Sequence, residues 1–259
     1  MALTRAGFDR PHTPGGDPRA QRRLCRGMPS ASIGDFEPSL AARTKFFDER
    51  VLDAIGAGVR QVVILGAGYD DRALRFPAPG VRFFELDHPA TQADKGRRLR
   101  TTRAVHAMRA VRAGAARGPV LAPADFRHDD IERVLAACGH DAAQPTLFLC
   151  EGLLVYLDQP TCVRLLAGLR ARAAGGSTLA ASLSVHREGL DSAHVAEVAN
   201  ARRRAGRTEP WLTILPAPAH LDLLRQAGWS PAESIDAASL HPGATPGRSL
   251  LVTAHPAPE

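Results

Sequence analysis

Short runs of apolar residues recur along the chain and are separated by more polar stretches. The runs at 62–65 and 146–150 are apolar at almost every position, which is typical of parallel strands covered on both faces. The pattern predicts six strands, at 61–65, 81–86, 120–123, 146–150, 177–183 and 250–254.

Between these runs, apolar residues recur at the spacing of helices. The segment 35–55 has Phe47 and Val51 on one face, and we predict Ser39 as its N-cap. Asp158 is the predicted N-cap of a later helix. The other predicted helices lie at 70–76, 90–108, 130–138 and within 216–228. Strands that alternate with helices predict an α/β fold with a doubly wound, mostly parallel sheet.

The beginning of the chain has a different composition from the rest. Residues 1–33 are rich in Pro, Gly and Arg and show no apolar period, which predicts a flexible tail or one that orders only against the rest. We interpret residues 34–259 as a single domain. The polar segment 186–220 is predicted to form a cover over a ligand pocket at the edge of the sheet.

Composition narrows the class of protein. The 259 residues are 44% hydrophobic and 23% charged, as in a globular domain with a full core. Without a bilayer-spanning apolar run or a signal-peptide core, the sequence predicts a cytoplasmic protein with no membrane partner. The four cysteines lack metal-type spacing, so we expect no metal site.

The net charge of +6 comes mainly from scattered arginines. A basic balance is compatible with nucleic acid or with an acidic small molecule. Because no aromatic residues interleave with the arginines as a stacking platform would require, we expect a solvated surface and no nucleic-acid partner.

Chemistry-bearing residues follow the predicted strands. Gly66, Asp87, Asp125 and Glu151 each follow one. The carboxyl ends of parallel strands meet at one edge of a sheet, where such folds bind ligands. Glycines allow a ligand to lie against the backbone. An acid after the second strand accepts hydrogen bonds from ribose hydroxyls. The sequence therefore predicts a nucleoside pocket.

Two classes of cofactor suit this pattern. A dinucleotide site prefers GxGxxG, but Asp71 stands at the third glycine position and follows Asp70. Two carboxylates there would repel a pyrophosphate, whereas S-adenosylmethionine carries a sulfonium and no phosphate. The same acids also complement a helix macrodipole. An NAD-dependent oxidoreductase stays open as an alternative.

Four stretches resemble the leucine carboxyl methyltransferase family, in its bacterial branch of S-adenosylmethionine-dependent O-methyltransferases. They are SLAARTKFFDE (39–49), QVVILGAGYDDRALRF (61–76), FFELDHPATQADKGRRL (83–99) and EGLLVYL (151–157). The resemblance implies a Rossmann-like class I methyltransferase with an antiparallel terminal hairpin and S-adenosyl-L-methionine as cofactor. The first 38 residues and the segment 186–248 carry no matching motif.

The resemblance implies roles for individual residues. Arg43 would pair with the carboxylate of the cofactor and Glu151 would lie near its ammonium. Asp87 would bind the ribose, while Asp125 would accept from the adenine amine and Phe126 would pack on the ring. The implied cofactor-binding residues are Arg43, Gly66, Gly68, Asp87, Asp125, Phe126 and Glu151.

The expected reaction transfers a methyl group to an oxygen of a small molecule. A carboxylate acceptor is ionised at neutral pH and needs no base, whereas a hydroxyl acceptor needs one. We identify no catalytic base in the sequence, which favours a carboxylate or an acidic hydroxyl. The alternative within the family is methylation of a protein C-terminal carboxylate.

Overall fold

The computed structural model describes residues 2–29, 37–110, 118–186 and 210–258, with the backbone alone over 101–110. The described strands form one seven-stranded sheet in the order β3-β2-β1-β4-β5-β7-β6. They are β1 (Gln61–Leu65), β2 (Arg82–Asp87), β3 (Val120–Pro123), β4 (Thr146–Cys150), β5 (Thr178–Ser184), β6 (Trp229–Asp236) and β7 (Ser249–Pro256). Pairing within β1–β5 is parallel, and β7 is antiparallel to both neighbours. The mostly parallel sheet with an antiparallel last strand is thereby confirmed.

The described helices are α1 (Ala2–Arg5), α2 (Ala20–Leu24), α3 (Glu37–Gly56), α4 (Arg72–Arg75), α5 (Pro89–Ala110), α6 (Ile131–Ala137), α7 (Gln159–Ala171) and α8 (Ala217–Gln226). Those from α3 onwards lie where the apolar spacing predicts helices, whereas α1 and α2 are not among the predicted elements. Asp158 caps α7, where its carboxylate accepts from the backbone N–H of Thr161 at 2.9 Å. The N-cap prediction for Ser39 is wrong, because α3 already includes Glu37.

The sheet has a hydrophobic core on each face. Val62 and Ile64 of β1 pack in the cluster that includes Phe47 of α3. Val63 and Leu65 point to the other face, where residues of α6, α7 and α8 cover the sheet. Because successive side chains of a strand alternate between faces, burial on both sides explains why this strand is apolar throughout.

Strand β6 is absent from the predicted elements. Its sequence WSPAESID is largely polar, and most of its residues are partly or fully exposed. Among the described strands it lies at the edge of the sheet and pairs only with β7, with an irregularity between Pro231 and Glu233. An edge strand tolerates proline and polar residues, so the apolar pattern does not reveal it.

The N-terminal residues 2–29 pack against the domain, which disagrees with a flexible tail and agrees with order against the rest of the chain. The backbone N–H of Thr13 donates to the carbonyl of Arg75 at 3.0 Å. The Gln21 side chain donates to the carbonyl of Tyr69 at 2.8 Å, and Leu24 is fully buried. These partners are distant in sequence, so local composition does not predict the packing.

The predicted cover over 186–220 falls mostly on residues 187–209, which lie outside the described residues. In the part that is described, the backbone N–H of Leu212 donates to the carbonyl of Val155 at 2.7 Å. Leu212 is nonetheless 47% exposed. Across the described ranges, no helix is long and apolar enough to cross a membrane.

Candidate functional site

The predicted site residues lie at the carboxyl edge of four neighbouring parallel strands. Gly66, Asp87, Asp125 and Glu151 end or follow β1, β2, β3 and β4, and the sheet order β3-β2-β1-β4 places these strands side by side. The alternation of strands and right-handed crossovers therefore brings the four loops to one edge, as the sequence pattern predicts.

A tight turn after β1 is bound to the acid at the end of β2. Gly66 and Gly68 have φ angles of 61° and 45°, a region that favours glycine. A Cβ on Gly66 would lie 3.1 Å from the Leu153 side chain. Asp87 Oδ2 accepts from the N–H of Gly68 at 2.6 Å, and its Oδ1 accepts from the N–H of His88 at 2.7 Å. The carboxylate of Asp87 thus fixes the turn.

Glu85, two residues before Asp87, faces the interior. It is 1% exposed, and its Oε2 lies 2.6 Å from Nζ of Lys95 on α5. Burial raises the pKa of Glu85 to about 7, although Lys95 acts in the opposite direction. Lys95 Nζ also donates to the carbonyl of Asp70 at 2.8 Å. Glu85 is therefore connected through Lys95 to the loop after β1, and Asp87 is the acid at the edge of the sheet.

The loop after β3 carries Asp125 and Phe126. Asp125 Oδ2 lies 2.9 Å from Nδ1 of His128, and its Oδ1 accepts from the N–H of Arg127 at 3.0 Å. These contacts, first the one with His128, lower the pKa of Asp125. Its side chain is 36% exposed, whereas Phe126 is buried in the core cluster. Asp125 is thus a half-open acceptor beside a buried ring.

Glu151, directly after β4, binds three arginines. Its Oε1 accepts from Arg5 Nη2 at 2.5 Å and from Arg43 Nε at 3.1 Å, while its Oε2 accepts from Arg72 Nη1 at 2.7 Å. Burial alone would raise the pKa of Glu151, but Arg5, Arg72 and Arg43 lower it well below its ordinary value. Two of the predicted site residues, Arg43 and Glu151, are therefore directly paired.

The position of Arg43 depends on a glycine. Its guanidinium lies over Gly152, where an added Cβ would come within 3.3 Å of Nη1 and Nη2. Gly152 has a φ of 65° and donates its N–H to the hydroxyl of Ser182 at 2.8 Å. The turn after β4 thus leaves room for the arginine that α3 delivers.

The ion pairs extend from Glu151 into a larger buried group. Arg72 bonds Asp48 at 2.7 Å and Asp70 at 2.6 Å, and Arg75 bonds the same oxygen of Asp48 at 2.7 Å. Asp71 accepts from Arg75 at 3.0 Å and from Arg10 at 2.7 Å. We call this group the arginine–carboxylate cluster: Arg5, Arg10, Arg43, Arg72, Arg75, Asp48, Asp70, Asp71 and Glu151.

From the sequence, Asp70 and Asp71 are expected to make the loop after β1 acidic. In the structure both are buried and neutralised by guanidinium groups, so they do not present free negative charge at the turn. The spacing of Asp71 and Arg75 is a recognisable i,i+4 pair. The contacts of Arg5 and Arg10 join distant parts of the chain and leave no such signal.

Two cavities border β3 and the loop that follows it. One of ≈ 440 Å³ is lined by residues that include Pro89, Gly96 and Leu121, between α5 and β3. Another of ≈ 300 Å³ is lined by residues that include Phe126 and Arg164, next to α6 and α7. Within the described ranges, no group of three or more His, Cys, Asp or Glu residues is arranged to hold a metal ion.

Comparison with known proteins gives one consistent family. A profile of the leucine carboxyl methyltransferase family matches residues 15–170. A Streptomyces coelicolor protein, named as an inferred S-adenosyl-L-methionine-dependent methyltransferase, is 43% identical over 147 residues, which are 56% of this chain and 48% of that protein. A protein of the same name from Mycolicibacterium gilvum is 39% identical over 194 residues, 73% of this chain and 60% of that one. The match thus spans about half the length of the curated relatives.

Solved structures share the fold at low sequence identity. A DUF574 family protein from Streptomyces avermitilis has a TM-score of 0.57 at 16% identity, with 92% of this chain and 89% of that chain covered. Magnesium protoporphyrin IX methyltransferase from Synechocystis, solved with bound SAH, has a TM-score of 0.54 at 12% identity over 90% and 91% of the two chains. Together the sheet, the turn closed by Asp87 and the matched profile show that the chain belongs to the leucine carboxyl methyltransferase family.

Proposed function

We propose that the protein is an S-adenosyl-L-methionine-dependent methyltransferase that transfers a methyl group to an oxygen of a small-molecule acceptor. The observation that carries the proposal is the glycine turn after β1, bound through Gly68 to Asp87, in a chain of this family. Relatives named as S-adenosyl-L-methionine-dependent methyltransferases support the choice of cofactor.

The residues at the edge suit this cofactor. Each Asp87 oxygen accepts one backbone N–H and retains capacity for a second donor, as two ribose hydroxyls would require. Asp125 is open enough to accept from the adenine amine, next to Phe126. The Arg43 guanidinium would hold the carboxylate of the methionine part. We keep Gly66 and Gly68 under that part, and Glu151 near its ammonium, as proposed roles.

Methyl transfer requires the protein mainly to position the acceptor and to exclude water. When bound, the cofactor supplies a methyl group already activated by a positive sulfur. A carboxylate acceptor would need no proton transfer, in agreement with the lack of an assigned base. The family description favours carboxylate over hydroxyl oxygen and keeps a second candidate, methylation of a protein C-terminal carboxylate.

Calorimetry tests the cofactor. We expect micromolar binding of S-adenosylhomocysteine, no binding of NAD, and at least about tenfold weaker binding by Asp87→Asn, a loss of about 1.4 kcal/mol. The amide keeps an oxygen for the N–H of Gly68 but loses the acceptor for the N–H of His88, so an unchanged unfolding midpoint is required before the loss is assigned to the ribose contact. Asp222→Asn is the matched control, because Asp222 lies exposed on α8 and pairs only with Arg225 among described residues. Binding of NAD alone would overturn the proposal.

A labelled methyl donor tests the acceptor. The protein and the labelled donor are incubated with the small-molecule fraction and, separately, with the protein fraction of a cell extract. We expect the label to be transferred to the small-molecule fraction. Mild alkali releases methanol from a methyl ester and leaves a methyl ether intact, so this treatment separates carboxylate from hydroxyl acceptors. Label confined to protein and released by alkali would instead favour the C-terminal carboxylate, and label stable at nitrogen or carbon would contradict oxygen transfer.

A further inference from the structure

Arg5 lies near the start of the N-terminal segment 2–29 and binds Glu151, which follows β4 at the edge of the sheet. Its Nη2 donates to Glu151 at 2.5 Å, and its side chain is 12% exposed. We propose that Arg5 is a displaceable internal cation, which holds Glu151 until the ammonium of the cofactor replaces it. The inference rests on the proposed function and adds a regulatory element to the same site.

The segment that carries Arg5 is anchored behind it. Thr13, Asp17 and Gln21 hydrogen-bond to the backbone of Leu74, Arg75 or Tyr69, and Leu24 is buried. By contrast, the four-residue helix α1 that ends at Arg5 contains no buried residue. Displacement of these first residues would therefore expose little buried apolar surface.

Arg5 is the least satisfied member of the arginine–carboxylate cluster. Its Nε is buried and has no hydrogen-bond partner among the described residues. Its Nη1 lies 3.7 Å from Asp70, beyond hydrogen-bond distance. Arg72, in comparison, bonds three carboxylates at 2.6–2.7 Å. A buried donor without a partner is costly, so release of Arg5 costs less than its contact with Glu151 suggests.

Charge balance is compatible with release of Arg5. The described cluster contains five guanidinium groups and four carboxylates, and each carboxylate keeps an arginine when Arg5 leaves, because Glu151 still binds Arg43 and Arg72. An incoming ammonium would therefore exchange one cation for another at Glu151. Departure of Arg72 would instead remove the direct partner of the buried Asp70, because Arg5 lies 3.7 Å from that carboxylate.

Competition of this kind has a definite sign. If a ligand must displace Arg5, its apparent affinity equals its intrinsic affinity multiplied by the fraction of molecules in which Arg5 is released. Loss of the Arg5 cation should therefore tighten binding of a ligand that has the ammonium. A ligand that lacks the amino-acid part does not reach Glu151 and should be indifferent to the substitution.

We would measure affinities of wild type, Arg5→Gln and Arg5→Lys for S-adenosylhomocysteine and for 5′-methylthioadenosine, which lacks the amino-acid part. We expect roughly tenfold tighter binding of the first ligand by Arg5→Gln, unchanged binding of the second, and wild-type behaviour for Arg5→Lys. Arg19→Gln removes the same charge from an exposed position in the same segment and should change neither affinity.

The outcomes separate the two proposals. If neither wild type nor Arg5→Gln binds either nucleoside, the proposed function fails. If wild type binds S-adenosylhomocysteine and Arg5→Gln binds it equally or more weakly, the cofactor proposal stands and the displacement of Arg5 is refuted; weaker binding would make Arg5 a ligand of the cofactor. Equal tightening for both ligands would also refute it, because the effect would then not depend on the ammonium.

Discussion

Replacement of Arg72 by methionine is the most decisive perturbation of this fold. Arg72 is 1% exposed and bonds Asp48, Asp70 and Glu151 at 2.6–2.7 Å. Methionine fills a similar volume without the charge. Three buried carboxylates would then lose their shared cation, and removal of one partner from a buried ion pair costs about 3–5 kcal/mol. We expect Arg72→Met to lower the free energy of unfolding at pH 7 by at least that amount.

The cost should depend on pH in one direction. Interactions with arginines, against the effect of burial, lower the pKa values of Asp70 and Glu151 in the fold. Acids with depressed pKa values stabilise the fold above their unfolded pKa of about 4, and the contribution is lost as pH falls through the folded value. The difference between wild type and Arg72→Met should therefore shrink below about pH 4.

Urea unfolding followed by circular dichroism measures both effects. Arg225→Met is the matched control, because Arg225 also bonds a carboxylate at 2.7 Å but both side chains are more than half exposed. An exposed pair contributes at most about 1 kcal/mol. Equal destabilisation by the two variants, or a cost for Arg72→Met that does not change between pH 7 and pH 3.5, would refute the assignment of the cluster as a buried, charge-balanced unit.

Three further predictions concern stability. Gly66→Ala should cost about 1–3 kcal/mol through its positive φ and its contact with Leu153, whereas Gly56→Ala meets nothing within 4 Å; equal unfolding midpoints would contradict this. Burial raises the pKa of Glu85 from 4.5 to about 7, so the folded state keeps a proton on Glu85 that the unfolded state loses, and the free energy of unfolding should fall as pH rises from 4.5 to 7. Glu85→Gln should flatten this fall. An unchanged pH profile in the variant would show that Glu85 does not cause it. Trp229→Phe removes the indole donor to a carbonyl of α7 at 2.9 Å and should cost about 1–3 kcal/mol, and a loss below about 0.5 kcal/mol would contradict the importance of that bond.

The central part of the fold follows from local pattern. β1 and β4 are apolar throughout because both faces of the sheet are covered, and the glycine turn and Asp87 stand at the positions where such a sheet binds ligands. Strand β6 escapes prediction because an edge strand has one unpaired side and tolerates polar residues and proline. Its existence depends on pairing with β7, the next strand along the chain.

The arginine–carboxylate cluster escapes prediction for a related reason. Arg5 and Glu151 are separated by 146 positions, and an arginine-rich composition makes each arginine look like a surface residue. Burial of a guanidinium becomes favourable only when several carboxylates converge on it, which depends on tertiary structure. Sequence alone therefore indicates Arg43 and Glu151 through family resemblance, but not the direct bond between them.

The two margins of the sheet have a consequence for self-association. β3 is only four residues long and ends in Pro123, while β6 carries Pro231 next to an irregular pairing and an exposed Glu233. Exposed backbone donors and acceptors on a long, flat strand recruit further strands from other molecules, and short edges, prolines and charges prevent this. The chain should therefore resist strand exchange and fibril growth at high concentration, even though the interior strands β1 and β4 are almost wholly apolar.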